Sequence, residues 1–380
     1  MMPASSGAAV TNLASLGGGA RSAATEKSNA QTNPPATNAG WDDALLGFDD
    51  ASLEQSASYC ALRWCGHEEA GPVLSDLTGT LAMARVLTYA MPGISGGLAY
   101  VKFGPVWRRR DSAADLDVYG RIAERLVAEY CQRRRMLLTI HPRPHPSAQA
   151  MERSVLEEFG FQQRRRHADC NRYLVNLAID EATQRASLEQ KWRYNLKKSE
   201  KARLDISEES TATGVASFQA LHAQMVARKN ASHGDPVEHL DELCGCLSTA
   251  LRPRVILARR DGQPVAGAVI AVHGDTAYYL YGATADEALE LRAGYALQWW
   301  IVQMLSNSGA AYYDLGGMGG ASGLRQFKQG LVGKQGCITE MAGEFDYWHH
   351  PRDRALGDAV YLLRRCSTAA SSLKRLLRLS

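Results

Sequence analysis

Long apolar runs are missing from this chain. No stretch approaches the roughly 20 consecutive apolar residues that a membrane-crossing helix needs. The opening stretch lacks a charged segment followed by an apolar one, so no secretory signal is expected and the cytoplasm is the expected location. Cysteine is sparse, with 8 in 380 residues. The nearest pairs, Cys60/Cys65 and Cys244/Cys246, do not repeat the C-x-x-C spacing of a zinc site. No metal site is expected, and the thiols should be reduced and act as small core residues. Excess charge is missing too: 43 Lys and Arg stand against 40 Asp and Glu, a net +3, so the whole molecule is no polycation. Residues 1 to 40 lack large apolar side chains. Their Ala, Ser, Gly, Thr and Asn cannot bury enough surface to offset the entropy of ordering, so a disordered tail is expected there.

What is present suits a soluble globular chain with room for two domains, at 45% hydrophobic and 22% charged. Order is expected from near Trp41, where Leu45, Leu46 and Phe48 arrive together. Basic residues are clustered as Arg108 to Arg110, Arg133 to Arg135 and Arg164 to Arg166, with Lys197 and Lys198 in a fourth patch. Such runs either meet phosphates or form solvated helix ends. His141, Arg143 and His145 stand around two prolines, but no acidic partner accompanies them as a metal site would need.

A pattern recurs along the chain. In the first half GLAYVKF (97–103) reads as a strand, followed by the loop Gly104-Pro105-Val106-Trp107. A helix follows with Leu116, Tyr119, Ile122, Ala123, Leu126 and Tyr130 at helical spacing. MLLTI (136–140) is the next strand, and a short helix with Val155, Leu156 and Phe159 ends at Gly160. In the second half AYYLYGA (277–283) is a strand, Leu297, Trp300, Ile301 and Met304 share a helical face, and AAYYDLG (310–316) is the next strand. Before these, VILARRDGQPVAGAVIAVHG reads as a hairpin turning on Asp261-Gly262. Two tandem acetyltransferase-type (GNAT-like) α/β domains are therefore expected, each a mixed, mainly antiparallel sheet flanked by helices. Their expected extents are 41–177 and 178–350, with a helical, basic segment 351–380 packing on the first.

Two segments carry chemistry. In SLEQKWRYNLKKSEKARLDI (187–206), Leu188, Trp192 and Leu196 should face the core, while Arg193, Lys197 and Lys201 recur on another face. That stripe either grips a pyrophosphate or RNA backbone or is a solvated face. In YYDLGGMGGASGLRQFKQGLVG (312–333) a strand ends at Asp314 and opens into a glycine-rich loop, with Ser322 a candidate helix cap before Phe327 and Lys328. No G-K-[ST] follows, so this is a weak phosphate loop by itself.

These segments, with Gly104-Pro105-Val106-Trp107, the Gln55-Ser56 pair, Leu297-Gln298-Trp299 and the closing F-K-x-G-x-x-G at 327–333, resemble the Fem family of peptidoglycan aminoacyltransferases over roughly residues 41 to 348. The resemblance implies transfer of an amino acid from aminoacyl-tRNA to an amine on a muramyl stem peptide or a similar peptide acceptor. It implies no cofactor beyond the charged tRNA. The acceptor would be a UDP-muramyl peptide or a lipid-linked precursor, met by a monomer with peripheral contact at the inner membrane. It matches Lys328 to a catalytic lysine and Arg193 to a nucleotide diphosphate contact, with Lys102 a second phosphate contact; Phe327 is a further candidate catalytic residue, and Lys197, Trp107 and Tyr281 are further candidate substrate-binding residues. The long charged heptad arm of the best-known members is missing here.

An aminoacyl ester is already activated, so the enzyme mainly aligns amine and carbonyl. Lys328 can stabilise the developing oxyanion, while Asp314 orients it or accepts a proton from the amine. Tyr279 and Tyr281 should share one strand face, where they line the cleft or pack in the core. The alternative enzyme is a coenzyme-A-dependent N-acyltransferase. Its pyrophosphate loop would fall at Leu291-Arg292-Ala293-Gly294-Tyr295-Ala296, where Leu291 replaces the usual Gln or Arg.

Overall fold

The computed structural model describes residues 35, 37–91, 93–164, 171–229, 237–317 and 322–378. The tail expected over 1–40 lies almost wholly outside the described residues. Helix α1 (Asn38–Leu45) already forms just before Trp41, because the Thr37 hydroxyl accepts from Gly40 N at 3.1 Å and caps its first turn. Trp41 and Leu45 anchor it by burial. Helix α2 (Ala57–Arg63), capped by Ser56, packs beside it.

The first sheet opens with β1 (Glu68–Asp76), β2 (Gly79–Ala90), β3 (Gly97–Lys102) and β4 (Leu137–His141). Between the last two runs α3 (Leu116–Leu126), continued by a π-helical stretch Val127–Arg133. The apolar positions read from the sequence, Tyr119, Ile122, Ala123, Leu126 and Tyr130, are all buried on the sheet. Helix α4 (Ala148–Glu158) and the short β5 (Gln162–Gln163) follow, with Gly160 at φ +88 ending the helix.

The second sheet takes β6 (Asn171–Asn176), β7 (Asp205–Glu208), β8 (Arg254–Arg260), β9 (Gln263–His273), β10 (Thr276–Thr284), β11 (Tyr312–Asp314) and β12 (Cys337–Glu340). Helices α5 (Glu181–Ser187), α6 (Gln190–Glu200), α10 (Ala293–Leu305) and α11 (Ser322–Val332) cover one face. Leu188, Trp192 and Leu196 point into that core as the spacing predicts. Helices α7 (Ala212–Lys229) and α8 (Leu240–Cys246) cover the other face, and the short α9 (Ala288–Leu291) precedes α10. The β8–β9 turn places Asp261 at φ +49 and Gly262 at φ +79, the two-residue geometry expected of Asp-Gly.

Strand order is β1-β2-β3-β4-β13-β5 in one sheet and β12-β6-β11-β10-β9-β8-β7 in the other, where β13 is Phe345–Tyr347. The pairs β3/β4 and β10/β11 are parallel and all others antiparallel, so both sheets repeat one plan, two tandem GNAT-like units. The units also exchange strands. Strand β6, before residue 177, completes the second sheet beside β11, and β13, near the other end of the chain, lies between β4 and β5. The 177/178 boundary read from the sequence therefore does not separate the hydrogen-bonded sheets. Helix α12 (Pro351–Arg378) lies on the first sheet, its Val360 packed with Leu87, Leu98 and Leu137.

Candidate functional site

Strands β10 and β11 run side by side for three residues only, Thr276–Tyr278 against Tyr312–Asp314. Strand β11 then ends while β10 runs on to Thr284, so among the described residues their pairing stops after Tyr278 and Asp314 and the ladder is open beyond the carboxyl end of β11. Gly316 takes φ +79 there and turns the chain under the opening. A methyl at that position would lie 3.8 Å from Lys328 Nζ.

Lys328 is placed by its neighbour. The Phe327 ring sits 4.9 Å from Tyr295 and 5.9 Å from Trp192, which seats α11 on α10 and α6. The next residue then turns toward the opening, where Lys328 Nζ donates to Gly317 O at 2.6 Å. The side chain is 7% exposed. Burial and the nearby Arg172 guanidinium lower its pKa to about 8, although Asp314 pulls the other way.

Asp314 was expected to orient Lys328 or to take a proton. Its carboxylate is instead committed: Arg172 Nη2 and Nε donate to it at 2.8 and 3.0 Å, and Gly316 N at 2.7 Å. At 1% exposure it ties β6 to β11 and shapes the turn below Lys328. Sequence reasoning missed Arg172, because only strand pairing brings it to a partner 142 positions away.

Below the opening the two sheets meet on Asp275. Its carboxylate accepts from Arg143 Nη2 at 2.6 Å and Arg108 Nη2 at 2.9 Å, with His145 Nε2 at 3.3 Å. The other His145 nitrogen, Nδ1, accepts from Ala148 N at 3.1 Å, so Nε2 carries the proton. Burial alone would raise the Asp275 pKa, but these groups hold it far below the usual carboxylate range. Arg143 also donates through Nη1 to Tyr278 OH at 3.0 Å. The His-Pro-Arg-Pro-His run thus serves the junction between sheets, and among the described residues no His, Cys, Asp or Glu cluster could hold a metal ion.

The remaining expected site residues scatter. Lys102, at the end of β3, lies 5.3 Å from the Trp64 ring centre and 3.6 Å from Glu54, a residue whose charge also acts on Arg172. Trp107 does not line an opening: it is 3% exposed in the first core, with its indole donating to Glu152 at 2.8 Å. Tyr281 departs from Tyr279 because the ladder slips between them, Tyr279 pairing with Ile270 and Tyr281 with Val269. The bulge sends Tyr279 to the α6/α10 face and Tyr281 to the α7 face. Arg193 is exposed and gives Nη1 to the carbonyls of Ala186 and Leu188, finishing α5, while Lys197 is exposed farther along α6. The glycine-rich loop expected after Gly317 falls outside the described residues at 318–321, and so does the capping side chain of Ser322.

Residues 182–329 match the family model described as an acetyltransferase (GNAT) domain, a span that includes β10, β11 and Lys328. Among solved structures the chain is similar to FemX, with 15% identity over 85% of this chain and 98% of that one and a TM-score of 0.69. It is also similar to a conserved protein of unknown function from Bacteroides thetaiotaomicron VPI-5482 (13% identity, 82% and 96% covered, TM-score 0.54). L-PGS from Bacillus licheniformis is a third (12% identity, 77% and 88% covered, TM-score 0.50). No curated protein matches the sequence. At these identities the likeness is one of fold.

Proposed function

We propose that the chain is an aminoacyltransferase that moves an amino acid from aminoacyl-tRNA to an amine of a peptidoglycan-precursor stem peptide, or of a similar peptide acceptor. The match to an acetyltransferase domain supports acyl transfer. The observation that carries the reading is Lys328, a buried cation at the end of the only parallel pair of the second sheet among the described residues. The F-K segment bearing it is one of the motifs that together resemble the Fem aminoacyltransferases, and the fold likeness to FemX runs over most of both chains.

In this reading the acceptor amine attacks the ester carbonyl of the charged tRNA. The carbonyl oxygen gains the negative charge, and Lys328, turning from Gly317 O, meets it as a cation. The ribose hydroxylate leaves as the intermediate collapses, and the proton shed by the amine neutralises it. One preorganised donor of this kind is worth about 10²–10³ in rate. Lys102 and Glu54 of the first unit lie 3.6 Å apart, a cation and an anion that in this reading would meet an acceptor carrying both phosphate and amine.

A coenzyme-A-dependent acyltransferase is the second reading, favoured by the domain match and by the start of α10. Arg292 takes φ +56 there, and among the described residues no neighbour lies within 4 Å of a methyl added at Gly294. Leu291, 9% exposed, occupies the place where a polar pyrophosphate contact would stand.

One experiment separates the two. The protein is incubated with a charged tRNA pool and UDP-muramyl pentapeptide, or with acetyl-coenzyme A and the same acceptor, and the acceptor is weighed by mass spectrometry. An added aminoacyl mass is expected in the first mixture and no acetyl mass in the second. Acetylation alone would reverse the reading.

A further inference from the structure

Arg143 and Tyr278 belong to different sheets, and neither entered the site as read from the sequence as a source of chemistry. Arg143 follows β4 of the first unit and is 4% exposed; Tyr278 is on β10 of the second and is 8% exposed. Arg143 spends Nη2 on Asp275 at 2.6 Å and Nη1 on Tyr278 OH at 3.0 Å. A guanidinium only donates, so the tyrosine oxygen is the acceptor and must place its own proton elsewhere. Among the described residues the Tyr278 hydroxyl has no hydrogen-bond partner besides Arg143. Tyr278 is the register partner of Asp314 at the point where β10 and β11 part, and its side chain feels the Asp314 and Asp275 charges as well as Arg143.

We infer that the Tyr278 hydroxyl donates a hydrogen bond to the carbonyl oxygen of an acyl group bound where β10 and β11 part, and that Arg143 is the positioning residue that aims it. A guanidinium on the tyrosine oxygen polarises the O–H bond and fixes its direction, which strengthens the hydrogen bond given to a carbonyl oxygen. No bond to hydrogen breaks: the proton stays on Tyr278 while the carbonyl oxygen gains charge. Asp275 fixes Arg143 in turn, with Arg108 and His145 on its other edges. The geometry also supplies a physical role for the first unit, which reaches the reacting region of the second through one guanidinium. The inference rests on acyl transfer at this opening and deepens that reading.

The test uses full-length protein with Tyr278→Phe, Arg143→Lys and the double variant. Lysine keeps a cation for Asp275 but loses the fork that reaches Tyr278. With charged tRNA and UDP-muramyl pentapeptide, Tyr278→Phe should lower kcat by 10- to 100-fold and leave KM within threefold. Arg143→Lys should fall in the same range, and the double variant no further than the lower single. Turnover of Tyr278→Phe within twofold of the parent, or losses that multiply in the double variant, would overturn the inference.

A readout without turnover keeps it apart from the proposed function. With 3-fluorotyrosine at position 278, Arg143→Lys should shift the ¹⁹F resonance of the resting protein. An unmoved resonance would sink the hold of Arg143 whatever the substrate. A shifted resonance supports that hold even where neither charged tRNA nor acetyl-coenzyme A is turned over, an outcome that removes the proposed function alone.

Discussion

Lys328 combines two properties that pull against each other. The proposed oxyanion role needs its charge, whereas the site that holds it is 7% exposed and favours the neutral amine. Lys328→Ala is expected to lower kcat about 10²–10³-fold with folding retained, measured by turnover and circular dichroism. The pKa of about 8 fixes the pH dependence: the cation is lost as pH rises through that value, so kcat should fall above pH 8. Stability should move the opposite way. In the unfolded chain the lysine titrates near 10.5, so between about 8 and 10.5 the unfolded state binds more protons and the fold gains stability with rising pH. Lys328→Met should therefore stabilise most below pH 8 and progressively less above it. Urea titrations at pH 7 and pH 9.5 check this, and a gain that is equal at both would contradict it.

This residue was legible in the sequence because an F-K pair after a glycine-rich turn is a local pattern. Asp314 was legible as a position but not as a role. Its partner Arg172 comes from a strand that sequence order assigns to the other unit. Trp107 was misread for a related reason. It was expected at the acceptor site, yet its indole N–H finds the buried Glu152 carboxylate, whose pKa burial raises to about 7.

At the scale of elements, α11 is what carries Lys328 to the opening, and its seat on α6 is tight. A methyl added at Gly330 would lie 2.7 Å from Trp192 Cδ1 and 3.1 Å from Trp192 Cβ. Gly330→Val must push the two helices apart. The expected cost is about 1–3 kcal/mol of stability, together with a loss of kcat as Lys328 moves out of reach. Denaturant unfolding with parallel assays checks both; full activity at reduced stability would separate the helix seat from the site. The β10 bulge makes a related point. Strict alternation puts Tyr279 and Tyr281 on one face, and the slip between them puts them on two. The one hint in AYYLYGA is Gly282 inside the strand, where an added methyl would collide with the Tyr279 hydroxyl; the position of the slip itself depends on how the strand pairs with its neighbours.

The whole molecule is interlocked rather than strung together. Strand β6 fills the second sheet from the first half of the chain, and β13 returns to fill the first. Fragments 41–177 and 178–350 should each fail to fold alone, since each leaves a sheet short of an interior strand with open backbone groups. Circular dichroism and size exclusion of the separate fragments test this; cooperative unfolding by 41–177 alone would refute it. The junction on Asp275 acts at the same scale. Asp275→Asn would leave Arg143 and Arg108 facing each other without their shared anion, and removing one partner of a buried pair costs about 3–5 kcal/mol. A large drop in melting temperature is expected, with loss of activity if the sheets shift.

The strand-loop-helix-strand pattern that recurs in the two halves, the Asp-Gly hairpin, the core faces of α3 and α6 and the position of a lysine after the glycine turn were legible in the sequence alone. Each depends on periods of two or 3.6 residues, or on one residue's backbone preference, and such information is local. The tertiary structure alone decided which half of the chain β6 and β13 complete, which arginine holds Asp314, and that Arg143 of one unit touches Tyr278 of the other. Those contacts join residues more than 130 positions apart. Their partners are chosen by charge burial and open sheet edges, forces that act only once the chain has collapsed.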